Sequence, residues 1–149
     1  MKGRKYISTP LKYYFTDAGL RNARLNFRKQ EENHIMENVI FNELTAGDYD
    51  VDVGVVEYNH LDKNGKKVRS QLEIDFMANK ASSRCYIQSA SSIPDEKKRR
   101  KETEALRRVP DSFRKIVVVR EDILPWQDES GIQYMGFEQF LLEEDAMNA

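Results

Sequence analysis

The stretch QLEIDFMANKASSRCYIQSA, residues 71–90, predicts two β-strands joined by a short turn. Apolar and polar residues alternate along the first strand, as they do in a strand that buries one face. The residues predicted to face the core are Leu72, Ile74, Phe76 and Ala78. The same alternation places Glu73 and Asp75 on the polar face, and it places Gln88 and Ala90 on one side of the second strand.

Residues 31–46 predict the first helix, because apolar residues recur there at helical spacing. The polar side of this helix is expected to carry His34, Asn38 and Asn42. A projection at about 100° per residue instead places Glu37 and Glu43 within the apolar arc. Acidic side chains rarely lie on such an arc without a partner. The two explanations are salt bridges to Arg24 or Arg28 and the remnant of a functional site.

Further patterns complete the predicted order of elements. Residues 49–58 alternate as a strand, which places Val51, Val53 and Val55 on one face. Asn64-Gly65 is a strong hairpin signal and predicts that this strand pairs antiparallel with the next. Residues 94–109 predict a second helix, and the β-branched run at 115–119 predicts a central strand parallel to the third strand. With a strand and a helix in IQYM and FEQFLLEE, the sequence predicts a three-layer α/β/α fold.

The composition favours a single globular domain. The chain has 149 residues, of which 40% are hydrophobic and 33% charged, and its formal net charge is −1. No apolar run approaches the roughly 20 residues that span a bilayer, and the N-terminus lacks the apolar region of a signal peptide. The lone cysteine, Cys85, fits a reducing compartment. We therefore expect a cytoplasmic protein without a membrane partner.

The predicted order of elements resembles the core of the PD-(D/E)XK, or restriction-endonuclease-like, superfamily. More narrowly, YYFTDAGLRNA, IMENVIFNEL, LEIDFMANK and YIQSA are similar to the C-terminal domain of unknown function in bacterial and archaeal AAA-type ATPases. Residues 1–27 are expected to form an entry segment that packs on the main domain, or the tail end of an upstream region, and the resemblance implies that residues 28–145 form a PD-(D/E)XK-like domain. The aromatic residues at 13–15 predict a short strand in the entry segment. The resemblance also implies an AAA-type ATPase partner in the same or another chain, although this sequence contains no Walker A motif.

In the PD-(D/E)XK superfamily a helical Glu, a strand Asp and a Glu-x-Lys pair meet at one Mg²⁺ site. The resemblance assigns the helical Glu to Glu37, with Glu43 as a second candidate, and the strand Asp to Asp75. Gln88 and Ala90 occupy the positions of the Glu and the Lys. A neutral Gln offsets no metal charge and Ala supplies no cation. The sequence therefore predicts a degenerate catalytic centre without a cofactor.

We accordingly expect a catalytically inactive domain that acts as a nucleic-acid-binding or regulatory module. One alternative is a divergent metal-dependent nuclease, in which Glu37 and Asp75 hold Mg²⁺ and either Lys80 or Lys115 supplies the missing cation. Another is a domain that only binds proteins. The residues predicted to bind nucleic acid form a basic run in the second helix: Lys97, Lys98, Arg99, Arg100 and Lys101. Because the net charge is near zero, such binding must come from a local patch.

Overall fold

The structure, a computed structural model, describes residues 12–16 and 32–143 of the chain. Its helices and strands are, in chain order, α1 (Glu32–Ala46), β1 (Asp50–Leu61), β2 (Lys67–Lys80), β3 (Ser83–Ala90), α2 (Glu96–Arg108), β4 (Arg114–Val119), β5 (Trp126–Gln127), β6 (Gln133–Gly136) and α3 (Phe137–Leu142). The short strand β5 was not predicted. None of the helices in this described part is both long and apolar enough to cross a membrane.

The strands form a six-stranded mixed sheet in the order β1-β2-β3-β4-β6-β5. The predicted hairpin is confirmed: β1 and β2 pair antiparallel, and Gly65 adopts a φ of 76° in the turn. The Asp62 carboxylate accepts hydrogen bonds from the backbone N–H groups of Asn64 and Lys66, at 2.8 and 2.9 Å. The predicted central strand is also confirmed, because β4 lies between β3 and β6 and is parallel to both.

Helices pack on both faces of the sheet. On one face, α1 and α3 contribute to a core cluster that includes Met36, Ile40, Leu44, Phe76, Ile87, Ile116, Val118 and Phe140. On the other face, α2 contributes to a cluster that includes Ile74, Tyr86, Ala90, Ala105, Leu106, Val117, Val119 and Tyr134. Alternate residues of β4 enter the two clusters, which explains why its sequence is apolar throughout. The predicted mixed α/β class is confirmed.

A shift in the pairing of β1 with β2 breaks the predicted alternation of β2. Between two successive pairs, β1 advances two residues, from Asp52 to Gly54, while β2 advances three. The extra residue in β2 forms a bulge. Ile74 consequently packs with α2 and Phe76 packs with α1, so the prediction that they share a face is wrong. The bulge places Asp75, next to Phe76, on the side of the sheet that carries α1.

Two smaller predictions are also wrong. Asn38 is buried rather than on a solvated face, because residues 12–16 bind to it. Residues 13–15 form neither helix nor strand.

The bulge depends on a small residue opposite Ile74, and we expect Gly54→Ala to destabilise the fold. A Cβ built at Gly54 lies 2.9 Å from the Cβ of Ile74, whereas directly opposed Cβ atoms in antiparallel strands are about 4.5–5.5 Å apart. Forcing an extra methyl into this space should lower the free energy of unfolding by about 1–3 kcal/mol. Urea unfolding measures the change.

The matched control for Gly54→Ala is Asp52→Ala, which alters an exposed side chain two residues earlier in β1. That change should stay within about 0.5 kcal/mol of the parent chain. Equal effects of the two substitutions would show that the close approach to Ile74 does not constrain the bulge.

Candidate functional site

The side chain of Lys12 lies among three carboxylates. Its Nζ atom is 2.8 Å from Oδ1 of Asp75, 2.8 Å from Oε1 of Glu73 and 3.5 Å from Oε2 of Glu37. Glu37 comes from α1, and the other two acids come from β2. We refer to Glu37, Glu73 and Asp75 as the acidic cluster. One ammonium group faces three carboxylates there, so the cluster keeps an excess of negative charge when all of them are ionised.

The second oxygen of Asp75 is engaged by β3. Oδ2 accepts hydrogen bonds from Oγ of Ser89 at 2.7 Å, from the N–H of Ser89 at 2.9 Å and from Nε2 of Gln88 at 3.0 Å. In return, Oε1 of Gln88 accepts a hydrogen bond from the backbone N–H of Asp75 at 3.3 Å. A Glu at position 88 would have no N–H to donate to Asp75 and would add a charge. Gln88 therefore acts here as a hydrogen-bonding partner of Asp75.

The electrostatics of the cluster favour the ammonium form of Lys12 and disfavour the ionised form of Glu37. Burial alone would lower the pKa of Lys12, but the carboxylates of Asp75, Glu73 and Glu37 outweigh burial and raise that pKa. Burial raises the pKa of Glu37, the nearby Asp75 carboxylate raises it further, and Lys12 opposes both effects only in part. Ionising Glu37 in the folded protein therefore costs free energy.

The structure brings together three of the four predicted site residues, Glu37, Asp75 and Gln88, but not Glu43. Glu43 is exposed, so the prediction that it lies on the apolar arc is wrong. The buried line of α1 runs through Met36, Ile40 and Leu44, and Glu43 is rotated by about 100° from Leu44. Arg24 and Arg28, the predicted partners of Glu37, lie outside the described residues.

Sequence reasoning missed Lys12, Glu73 and Ser89 as members of this site. Glu73 could have been found, because it precedes Asp75 by two residues on one predicted strand face. Lys12 gives no local signal, since it is 63 residues from Asp75 along the chain. Ala90, at the position of the superfamily's lysine, is buried in the core on the opposite face of the sheet.

The residues of the site do not fit a divalent metal ion while Lys12 is in place. Among the residues that the structure describes, no three His, Cys, Asp or Glu side chains are arranged to hold a metal. The ammonium group lies between the carboxylates, and Oδ2 of Asp75 already accepts three hydrogen bonds.

Lys12 belongs to residues 12–16, which we call the docked segment, and the other contacts of this segment position its side chain. The ring of Tyr14 stacks on Phe41 of α1, with ring centres 4.4 Å apart. The backbone N–H of Phe15 donates to Oδ1 of Asn38 at 2.8 Å, and its carbonyl accepts from Nδ2 of Asn38 at 2.6 Å and of Asn42 at 2.9 Å. The docked segment is thus held by the ring of Tyr14, by the backbone of Phe15 and by the charge of Lys12.

The basic run lies on α2, which packs on the opposite face of the sheet from α1. Two of its charges are paired within the helix: Arg100 with Glu96 at 2.7 Å, and Lys98 with Glu102 at 3.5 Å. Lys97 and Lys101 are exposed and have no ion-pair partner in the described part of the chain. The run therefore offers fewer free charges than its sequence suggests.

A groove of about 880 Å³ lies between α2 and residues 126–129. Its wall includes Trp126, whose ring stacks on Tyr134 at 4.2 Å and lies 5.1 Å from the guanidinium carbon of Arg99. Arg107 reaches across to Asp128 at 2.6 Å. These contacts cover only part of the Trp126 ring, which is 38% exposed, so the groove offers charged groups beside a partly exposed aromatic ring.

Comparison with known proteins finds an uncharacterized protein of Haemophilus influenzae that is 31% identical to this chain over 118 residues. The aligned region covers 79% of this chain and 26% of that protein, so the chain spans about a quarter of its relative's length. No family model matches the chain, and no solved structure matches it.

Because burial and the neighbouring Asp75 disfavour a charge at position 37, we expect Glu37→Gln to raise the free energy of unfolding at pH 7 by up to about 1 kcal/mol. Burial and the neighbouring acid raise the pKa of Glu37 above its ordinary value of 4.5. An acid with a raised pKa favours folding below its unfolded pKa and loses that contribution as the pH rises through its folded pKa. The advantage of Glu37→Gln should therefore shrink towards pH 4, as urea unfolding at both pH values would measure.

Glu43→Gln is the matched control, because it makes the same change at an exposed position of α1. It should alter stability little at either pH. A loss of stability in Glu37→Gln at pH 7 would mean that the attraction to Lys12 outweighs burial and repulsion.

Proposed function

We propose that this chain is a non-catalytic PD-(D/E)XK-like domain that acts as a nucleic-acid-binding or regulatory module of an AAA-type ATPase. The position of Lys12 carries the proposal. In the superfamily that the sequence resembles, the helical Glu and the strand Asp hold Mg²⁺, whereas here an ammonium group lies between Glu37 and Asp75. An ammonium group offsets part of the charge of the carboxylates, but it has no open coordination positions for water and a phosphate oxygen.

The arrangement of elements supports a restriction-endonuclease-like core with three α/β/α layers. Helices lie on both faces of the sheet. An antiparallel hairpin leads into β3, and α2 connects β3 to the parallel strand β4. Glu37 on α1, Asp75 on β2 and Gln88 on β3 follow the superfamily's order of site residues. This agreement in order supports descent from a nuclease.

The length of the Haemophilus influenzae protein is compatible with a module that works beside another domain. The aligned region accounts for 26% of that protein. An AAA-type ATPase domain, in the same or another chain, is the partner that we propose.

The separation of the two charged regions supports binding without cutting. The acidic cluster lies beside α1 and repels phosphate groups, whereas Lys97 and Lys101 lie on α2, which packs on the opposite face of the sheet. Nucleic acid held by α2 would meet lysines but not the carboxylates. We therefore place the proposed nucleic-acid interface on α2.

One observation favours the alternative, a divergent metal-dependent nuclease: a lysine lies beside Asp75. It is Lys12, and not either of the two lysines predicted for this role. Nζ of Lys80 donates to the carbonyl of Gly47 at 2.8 Å, and Nζ of Lys115 donates to the carbonyl of Asp111 at 2.8 Å. Under this alternative, Lys12 would supply the missing cation.

The proposal predicts that the pure chain does not cleave plasmid or single-stranded DNA or RNA in Mg²⁺ or Mn²⁺. Losing one preorganised charged group from an active site typically costs roughly 10²–10³ in rate, and two positions of the superfamily's motif are changed here. Gel assays of the parent chain and of Asp75→Asn should show the same background.

Metal-dependent cutting that disappears in both Asp75→Asn and Lys12→Met would overturn the proposal and support the nuclease. Cutting that persists in Asp75→Asn identifies a contaminating enzyme, which the assay of that variant is included to detect.

Any binding of nucleic acid should be weak and strongly dependent on salt, because the free positive charge of α2 is small. Lys97→Gln combined with Lys101→Gln should flatten the slope of log affinity against log salt by about one unit for every phosphate group that the variant no longer binds. Fluorescence anisotropy with labelled duplex and single strands at several salt concentrations measures this slope.

The control combines Lys63→Gln with Lys66→Gln, which removes the same charge from the exposed β1–β2 turn. Equal changes in slope for the two pairs would assign the effect to net charge and reject a binding surface on α2.

A further inference from the structure

The docked segment contacts the rest of the domain as a bound peptide contacts its receptor. Lys12 enters the acidic cluster, the ring of Tyr14 lies between Phe41 and Phe76, and the peptide groups of Phe15 bind asparagine side chains. The segment pairs with no strand of the described sheet. Its attachment therefore depends on a few separate interactions and not on a continuous ladder of backbone hydrogen bonds.

The spacing of these interactions defines a recognition pattern. The receiving surface binds a cation at position 12, an aromatic ring at position 14 and a main-chain peptide group at position 15. The intervening side chain, Tyr13, is 82% exposed. The surface thus suits a segment of the form Lys-x-aromatic, in which the middle residue is free to vary.

The fit of Tyr14 is incomplete in one respect. Its hydroxyl oxygen is buried and has no hydrogen-bond partner in the described part of the chain. Burying a hydroxyl group without a partner opposes docking, so the slot formed by Phe41 and Phe76 accommodates the ring but does not satisfy the hydroxyl. A Phe at this position would avoid the penalty.

We propose that α1 and β2 form a peptide-recognition site for segments of the Lys-x-aromatic kind, and that residues 12–16 are its removable internal ligand. When the docked segment leaves, the acidic cluster loses its counter-charge and the aromatic slot opens. The same site then accepts a segment of matching chemistry from another chain. This inference does not depend on nuclease descent or on binding of nucleic acid.

A fluorescein-labelled peptide with the sequence of residues 10–18, PLKYYFTDA, tests the proposal. The receptor is the full chain with Lys12→Ser and Tyr14→Ala, which weaken its own docked segment. This variant should bind the peptide saturably in fluorescence anisotropy. The parent chain should bind at least about tenfold more weakly, because a tethered segment competes at a high effective concentration.

Altered peptides test the recognition pattern on the same receptor. Lys12→Met in the peptide should weaken binding by about tenfold or more, since it removes hydrogen bonds to charged groups. Tyr14→Phe should bind as well as the parent peptide or better, and Tyr13→Ser should change little. Equal binding of the parent chain and the double variant, or loss of binding by the Tyr14→Phe peptide, would overturn the proposal. No binding to a double variant that keeps the parent's circular dichroism spectrum would also overturn it.

Hydrogen exchange of the parent chain gives a second test that needs no variant to fold. If the docked segment opens by itself, the N–H of Phe15 should exchange faster than the N–H of Val117 in the buried strand β4. The difference should increase in Lys12→Met. Equal protection of the two groups would mean that the segment leaves only on global unfolding, which contradicts a removable ligand.

Discussion

The interaction between the Lys12 ammonium and the acidic cluster joins the docked segment to both α1 and β2. Glu37 and Asp75 come from different elements, α1 and β2, and both are largely buried at their junction. Like charges in a partly desolvated site repel strongly. The ammonium offsets that repulsion, and the packing of α1 against the bulged part of β2 therefore depends on a residue from a segment outside both elements.

The hydrogen bonds from β3 fix the position of the Asp75 carboxylate, and Lys12 offsets its charge. The bulge places Asp75 and Phe76 on the same side of β2, so a charged group and a core group are next to each other. Gln88 and Ser89 hold one oxygen of Asp75 and leave the other to Lys12. Glu37 is kept although burial and repulsion disfavour its charge, and a residue kept at a cost in stability is typical of sites shaped by function.

Much of the fold was predictable because its signals are local. Each of the informative signals lies within one short stretch of sequence: the Asn64-Gly65 turn, the apolar run of β4 and the helical spacing in α1. The bulge at Asp75 was not predictable from alternation. An extra residue in one strand reverses the face on which the following side chains lie, and the pattern of apolar and polar residues does not mark where this happens. The site was predictable only in part: Glu37, Asp75 and Gln88 were found on a resemblance, whereas Lys12 reaches them through a tertiary interaction that no sequence period encodes.

The position of Lys12 also connects the proposed loss of catalysis with the proposed recognition site. In the proposed descent from a nuclease, a lysine from a separate segment takes the place of a diffusible metal ion. The tether raises the effective concentration of the Lys12 ammonium at the carboxylates. Because the ammonium is part of a peptide segment, another cation can replace it only when the docked segment is displaced. The carboxylates that bind a metal ion in a nuclease are thereby available to select a lysine. Selection then depends on the neighbouring aromatic slot and asparagines, which a metal ion would not contact. Under the proposed descent, the desolvated negative charge of the former metal site would already be in place, and a peptide-binding site would need only a main-chain anchor and a ring pocket in addition.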